Sequence, residues 1–160
     1  MNIRWAEPRD QDAMWGIFRE VVLAGDTWVF DAETSRSFMI DYWFHPGTLS
    51  YVAEKDGHVL GMYLLRPNHP GHGSHVANAG YMVASSARGL GVGEAMGKHS
   101  IQEASRLGYK AIQFNFVVST NEAAVALWKK IGFDIVGTLP GAFKHSSLGY
   151  VDVYVMFRSL

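Results

Sequence analysis

The 160-residue chain contains no cysteine, which excludes disulfide staples, thiolate metal sites and a cysteine nucleophile. Charged residues are scarce, 18% against the usual ~25%. The 14 Lys and Arg nearly cancel the 15 Asp and Glu, leaving a net charge of −1. A nucleic-acid groove needs clustered excess cation to neutralise phosphates, so that class of partner is set aside. Long hydrophobic runs are also missing. The longest, Ala123 to Trp128, falls far short of the ~20 residues a membrane span requires, so no membrane partner is expected. Nor is a secretory leader expected, because Arg4, Glu7, Asp10 and Asp12 interrupt the apolar stretch it would need. By that absence the expected compartment is the cytoplasm.

What is present suits one packed domain over residues 1–160. Hydrophobic residues make up 48%, too many for a disordered chain. Glycine is enriched, 17 residues where ~7% is average, and the excess punctuates the elements. A first strand is read at Asn2–Ala6. A helix follows from Asp10, whose carboxylate is expected to cap it, with Ala13, Met14, Ile17, Phe18, Val21 and Val22 on one face and Gly25 closing it. A second helix runs from about Thr34 to Phe44, stopped by His45-Pro46-Gly47. Strands at Leu49–Glu54 and Val59–Leu65 flank Asp56-Gly57, the strongest short hairpin signal. A polar loop, Arg66 to His75, leads to a central strand at Val76–Ala84. Beyond the glycine run a helix extends to Leu107, ended by Gly108. A strand at Lys110–Val118, a helix at Asn121–Ile131 and late strands at Phe133–Gly137 and Val151–Phe157 complete a mixed α/β order.

Arg88-Gly89-Leu90-Gly91-Val92-Gly93 lies between a predicted strand and a predicted helix. There, glycines let successive backbone N–H groups and the helix N-terminus converge on one anion, best suited to phosphate or pyrophosphate. The dinucleotide pattern G-x-G-x-x-G fails, with Glu at 94 and Met at 96. The nucleotide-triphosphate loop fails as well, since Gly97-Lys98 precedes His99 and position 92 is Val. What remains is R-x-x-G-x-G opening a helix.

That motif resembles the acetyl-CoA pyrophosphate loop of the GNAT N-acetyltransferase superfamily. The segment from Asn121 through Ala124, Leu127, Trp128 and Gly132-Phe133 is similar to the family's N-x-x-A-x-x-L-Y-x-x-x-G-F, departing only at Trp128. The resemblance implies a single-domain α/β fold. Its seven-stranded sheet would be mixed, mostly antiparallel and splayed between strands 4 and 5, with about four flanking helices. It implies acetyl-CoA as cosubstrate, held by the segment Arg88 to Glu94 (Gly89, Leu90, Gly91, Val92 and Gly93 between them). Pantetheine would bond to backbone at about Met82 and Val83, with Asn121 and Trp128 alongside. The Val83 backbone N–H would meet the oxyanion. Where the family has a Tyr able to protonate the departing thiolate, an indole N–H cannot give up a proton near neutral pH. Simpler readings stay open: an ordinary tight turn for the glycines, a helix cap for Asn121, core packing for Trp128.

The acceptor is expected to be a small-molecule amine. Asn78, Asn115 and Asn121 flank the place where the strands should part. Strict alternation puts Asn115 on the side of Gln113 and Val117, opposite Phe114 and Phe116. With Trp128, this asparagine set resembles the acetyltransferases of proline analogues such as azetidine-2-carboxylate. That likeness implies that Asn78 and Asn115 contact an amino- or imino-acid acceptor, with Asn115 also counted as catalytic. Trp28 and Phe30 are read as an apolar acceptor wall, with Asp26 and Asp31 able to attract an ammonium. His75 is the candidate base, a structural histidine being its alternative. His69, His72 and His75 are spaced by threes, but without further ligands they do not suggest a metal, and the reaction needs none. No G-x-S-x-G elbow supports a hydrolase. Competing readings are acetylation of protein N-termini or lysines, and a non-catalytic acyl-CoA-binding module. A homodimer is left open.

Overall fold

The computed structural model describes every residue from Met1 to Leu160. Strands β2 (Leu49–Lys55) and β3 (His58–Pro67) form the expected hairpin. Asp56 at φ 53° and Gly57 at φ 78° supply the paired left-handed conformations its two-residue turn requires. With β1 (Asn2–Trp5), β4 (Val76–Val83), β5 (Ala111–Val118), β6 (Asp134–His145) and β7 (Gly149–Ser159), they build a seven-stranded sheet. Its order is β1-β2-β3-β4-β5-β7-β6. Every pairing is antiparallel except β4–β5.

Helices α1 (Gln11–Ala24) and α2 (Arg36–Trp43) cover one face of the sheet, where Met14, Phe18, Met39 and Trp43 are buried. Helices α3 (Val92–Arg106) and α4 (Glu122–Lys130) cover the other. On that second face one rung of the sheet is aromatic across four strands. Trp5, Tyr51, Tyr63 and Tyr81 stand directly opposite one another, with ring centroids 4.7, 4.7 and 5.6 Å apart. Trp128 of α4 continues the row at 4.7 Å from Tyr81, where the β5 rung would otherwise be. Each such pair contributes about 0.5–1.5 kcal/mol beyond burial.

The feature that positions the site is a short pairing. Strands β4 and β5 are joined only at Val76–Ala111, Ala77–Ile112 and Asn78–Gln113. Beyond that they part, and the β5-facing edge of β4 is unpaired to Val83. A bulge in β5 helps them diverge. Phe114 opposes Met156 and Val117 opposes Tyr154, so Asn115 and Phe116 together face one residue of β7. An inserted residue bends the bulged strand and breaks its alternation. The expectation that Asn115 and Val117 share a side is therefore corrected: Phe114 and Val117 are both buried, and Asn115 is exposed.

Other expectations are also corrected. Asp10 does not cap α1. It sits in a helical turn at Pro8–Asp10, and its carboxylate accepts Arg4 at 2.8 and 2.9 Å and the Glu7 N–H at 2.8 Å. A buried carboxylate gains more from a bidentate guanidinium than from one cap bond. The second helix starts at Arg36, because the Ser35 hydroxyl caps it by accepting the Phe38 N–H at 3.1 Å. The last hairpin is far longer than the alternation suggests. β6 runs on through Pro140, tolerated because β6 is the sheet edge and its register shifts between Leu139 and Phe143.

Candidate active site

The parting of β4 and β5 opens a cavity of about 760 Å³ that runs from the glycine loop to the loop after α1. At one end lie Arg88, Gly89, Gly91, Val92, Gly93 and Glu94. Gly89 and Gly91 hold φ of 78° and 77°, a conformation that favours glycine over other residues. Gly93 is needed for a different reason: a Cβ there would come 3.3 Å from Leu127 of α4. Gly91 is the N-cap of α3 and offers no side chain, so the first bond in the helix is Ala95 N–H to Gly91 O at 3.0 Å. The amides of Val92, Gly93 and Glu94 are thereby left for an anion. The Arg88 guanidinium has no carboxylate partner, whereas Glu94 is neutralised by Lys130 at 2.7 Å and Lys98 at 2.8 Å. Hydrogen bonds from Lys130, and then Lys98, hold the Glu94 carboxyl at about 2. The net field at this end is positive.

Strand alternation decides which β4 amides face the opening. Ala84 N–H bonds to Leu60 O at 2.9 Å and Asn68 N–H to Val76 O at 2.8 Å, so even-numbered β4 residues point their backbone at β3. The amide groups of Met82 are therefore engaged with β3, and those of Tyr81 and Val83 face the gap. The Trp28 indole N–H caps the Tyr81 carbonyl at 3.1 Å, while the ring lies so close over Gly80 that a Cβ would sit 2.8 Å from it.

At the far end, Asn78 donates to Gln113 O at 3.1 Å and so continues the β4–β5 pairing by side chain. Asn115 donates to Asn68 Oδ1 at 2.7 Å and accepts from Gln113 Nε2 at 2.9 Å. Asn78, Asn115, Asn121, Trp28, Met82, Val83 and Trp128 all line the cavity. Asn121 also caps α4, accepting the Ala124 N–H at 3.3 Å. Trp128 is buried against Tyr81 and Phe114, and its indole N–H has no partner in the chain. The Tyr81 hydroxyl is bonded to Ser100 at 2.6 Å, and burial pushes its pKa well above the ordinary tyrosine value.

Four expected residues lie elsewhere, Asp31 among them, exposed outside the cavity with its carboxylate accepting the Glu33 N–H at 3.0 Å. His75 is exposed outside the cavity, its carbonyl accepting the Lys110 N–H at 2.8 Å. Phe30 packs behind the wall, between Phe18 at 5.7 Å and Tyr42 at 5.1 Å, and backs Trp28 at 5.8 Å. Leu90 points to solvent, 65% exposed. The sequence does not mark Tyr42, Arg66 or Tyr81 as lining residues. Arg66 stands opposite Asn78 in the β3–β4 pairing, a register that the long connection from Asn68 to His75 hides in the sequence.

The sequence model described as "Acetyltransferase (GNAT) family" matches residues 12–133. This chain belongs to the GNAT family. Among solved structures, this GNAT chain is similar to a GCN5-related N-acetyltransferase from Kribbella flavida, at 45% identity and a TM-score of 0.95, covering 99% of this chain and 97% of that one. It is 30% identical to the L-amino acid N-acetyltransferase AaaT of Escherichia coli, over 98% of this chain and 96% of AaaT. It is 35% identical to the N-acetyltransferase aca1 of Schizosaccharomyces pombe over 61% of this chain, and spans less than half of that protein, 47%. No helix is long and apolar enough to cross a membrane, and no cluster of three or more His, Cys, Asp or Glu could hold a metal.

Proposed function

We propose that this chain carries the acetyl group of acetyl-CoA directly to the amine of a small molecule, an amino or imino acid. The observation that carries the reading is the unpaired β4 edge. It leads from an uncapped helix N-terminus with a free arginine to the pocket under Trp28. The residues fit the cosubstrate. Its pyrophosphate suits the amides of Val92, Gly93 and Glu94 beside Arg88, and its amide-bearing arm can add to β4 as an extra strand on the Tyr81 N–H and the Val83 carbonyl. Asn121 and Trp128 flank that path.

The acetyl end then lies between Val83 and the acceptor pocket under Trp28. The acceptor ammonium first gives up one proton to solvent water; the free amine nitrogen then attacks the thioester carbonyl carbon, and the Val83 N–H donates to the oxyanion as it forms. The carbon–sulfur bond breaks, the thiolate leaves and takes a proton from water, and the new amide nitrogen loses its proton to solvent. Neither His75 nor the Ser100-bound Tyr81 hydroxyl has a place in this route.

The loop after α1 walls the acceptor end of the cavity with Asp26, Thr27, Trp28 and Val29. The tip of the β6–β7 hairpin is tied to the end of α1, with Ser146 donating its N–H to Gly25 O at 2.9 Å and its hydroxyl to Ala24 O at 3.0 Å. The similarity to AaaT supports an amino-acid acceptor. Thiol release from acetyl-CoA, followed with a panel of amino acids, simple amines and short peptides, tests the reading. Steady release with free amino acids is expected. Release with peptides alone, or tight CoA binding with no release, would overturn it.

A further inference from the structure

The cavity carries a pair of opposite charges that the cosubstrate does not use. Arg66, near the end of β3, stands opposite Asn78 and so projects from the face of the sheet on which Trp28 covers Gly80. Its guanidinium lies 4.7 Å over the Tyr42 ring and donates to the Tyr42 hydroxyl at 2.8 Å. Tyr42 is itself packed edge-on against Phe30 at 5.1 Å, which fixes the orientation of the fork above it. No carboxylate of the chain lies within 4.0 Å of Arg66. Asp26 follows Gly25 in the loop after α1 and lines the same cavity, and its Oδ1 is buried with no hydrogen-bond donor. A buried carboxylate oxygen without a donor is costly unless a ligand supplies one. Arg66 and Asp26 do not pair with each other. The amides nearby are already committed, Asn78 to Gln113 and Asn115 to Asn68.

We infer that the pocket reads its acceptor as a zwitterion, with Arg66 binding the carboxylate and Asp26 receiving the ammonium. This deepens the acetyl-transfer reading of the same cavity and rests on it. A planar guanidinium with open N–H groups suits a carboxylate in bidentate geometry, which a decarboxylated amine or a carboxamide does not reproduce. Selectivity follows from the groups left unpaired: a site built to hold a charge rejects an analogue lacking it far more strongly than a site that merely fits its shape.

The test compares matched acceptors on the unaltered protein: each L-amino acid, its carboxamide and its decarboxylated amine, with L-leucine, L-leucinamide and isoamylamine as one such set. The free acid is expected to exceed both analogues in kcat/KM by at least tenfold. Arg66→Gln should reduce that acid-over-amide preference at least tenfold, and Arg66→Lys should restore part of it. Asp26→Asn should raise KM for acid and amide alike, since both carry the ammonium. Equal use of acid, amide and amine, or an acid preference untouched by Arg66→Gln, overturns the zwitterion and leaves acetyl transfer to small amines standing. Failure of all three acceptor types while peptides react overturns both.

Discussion

Ser146, in the turn between β6 and β7, holds Gly25 at the end of α1 through a 2.9 Å bond from its N–H to the Gly25 carbonyl. The contact joins an edge hairpin to the loop that carries Asp26 and Trp28. Gly25 sits at φ 62°, and a Cβ there would come 3.0 Å from the Ser146 Cβ. Gly25→Ala is thus expected to strain the turn by about 1–2 kcal/mol and to push the hairpin away. Acceptor KM should rise at least fivefold, with acetyl-CoA affinity unchanged. Urea unfolding and steady-state kinetics check the two halves of this prediction separately.

The glycine loop permits a cleaner separation of backbone strain from charge. Gly91→Ala at φ 77° should cost about 1–2 kcal/mol of stability while keeping the anion site's sign. Gly91→Asp adds a carboxylate where the pyrophosphate must sit. It should bind acetyl-CoA at least tenfold more weakly than the alanine variant by calorimetry. Equal affinities in two folded variants would remove the anion from this loop.

What was legible in the sequence was set by local chemistry. Asp56-Gly57 can hardly do anything but turn between two apolar runs. Gly108 and Gly132 end their helices at φ 87° and 94° because few other residues adopt that conformation cheaply. The glycine loop and Asn121 were readable for the same reason: each depends on a few adjacent residues. What escaped depends on partners distant in sequence. Asp10 looks like a cap until Arg4 is folded beside it. The bulge at Asn115–Phe116 exists only against β7, and it turns Val117 to the buried side, out of the alternation that Asn115 still keeps with Gln113. Arg66 reads as the start of a polar loop and acquires meaning only when β3 runs on through it and Tyr42 and Asn78 stand around it.

Trp128 occupies the position at which the family pattern has tyrosine, and its surroundings argue for packing. It is 7% exposed, 4.7 Å from Tyr81 and 4.8 Å from Phe114, and a Cβ on Gly97 of α3 would come 3.0 Å from its ring. Trp128→Phe keeps the apolar contact and removes the N–H. It should cost about 1–2 kcal/mol in stability and less than about tenfold in turnover. A thousandfold loss in a folded variant would assign the indole N–H a role in thiolate departure.

His99 should make the fold sensitive to mild acid. Its Nδ1 shares a 2.7 Å hydrogen bond with the Tyr63 hydroxyl, below the aromatic row and beside Tyr51, whose hydroxyl donates to Glu103 at 3.0 Å. Burial lowers the His99 pKa below its ordinary value, against the opposing pull of the Glu103 carboxylate. The unfolded chain therefore takes up a proton near the ordinary histidine pKa of about 6.5, before the folded chain does. The sign follows: the stability conferred by neutral His99 is fully present above that value and is lost as pH falls from it through the lower folded pKa. His99→Gln removes the titration, so urea midpoints at pH 7.5 and 5.5 should differ less in the variant than in the parent chain. An equal drop in both would assign the acid sensitivity to other groups.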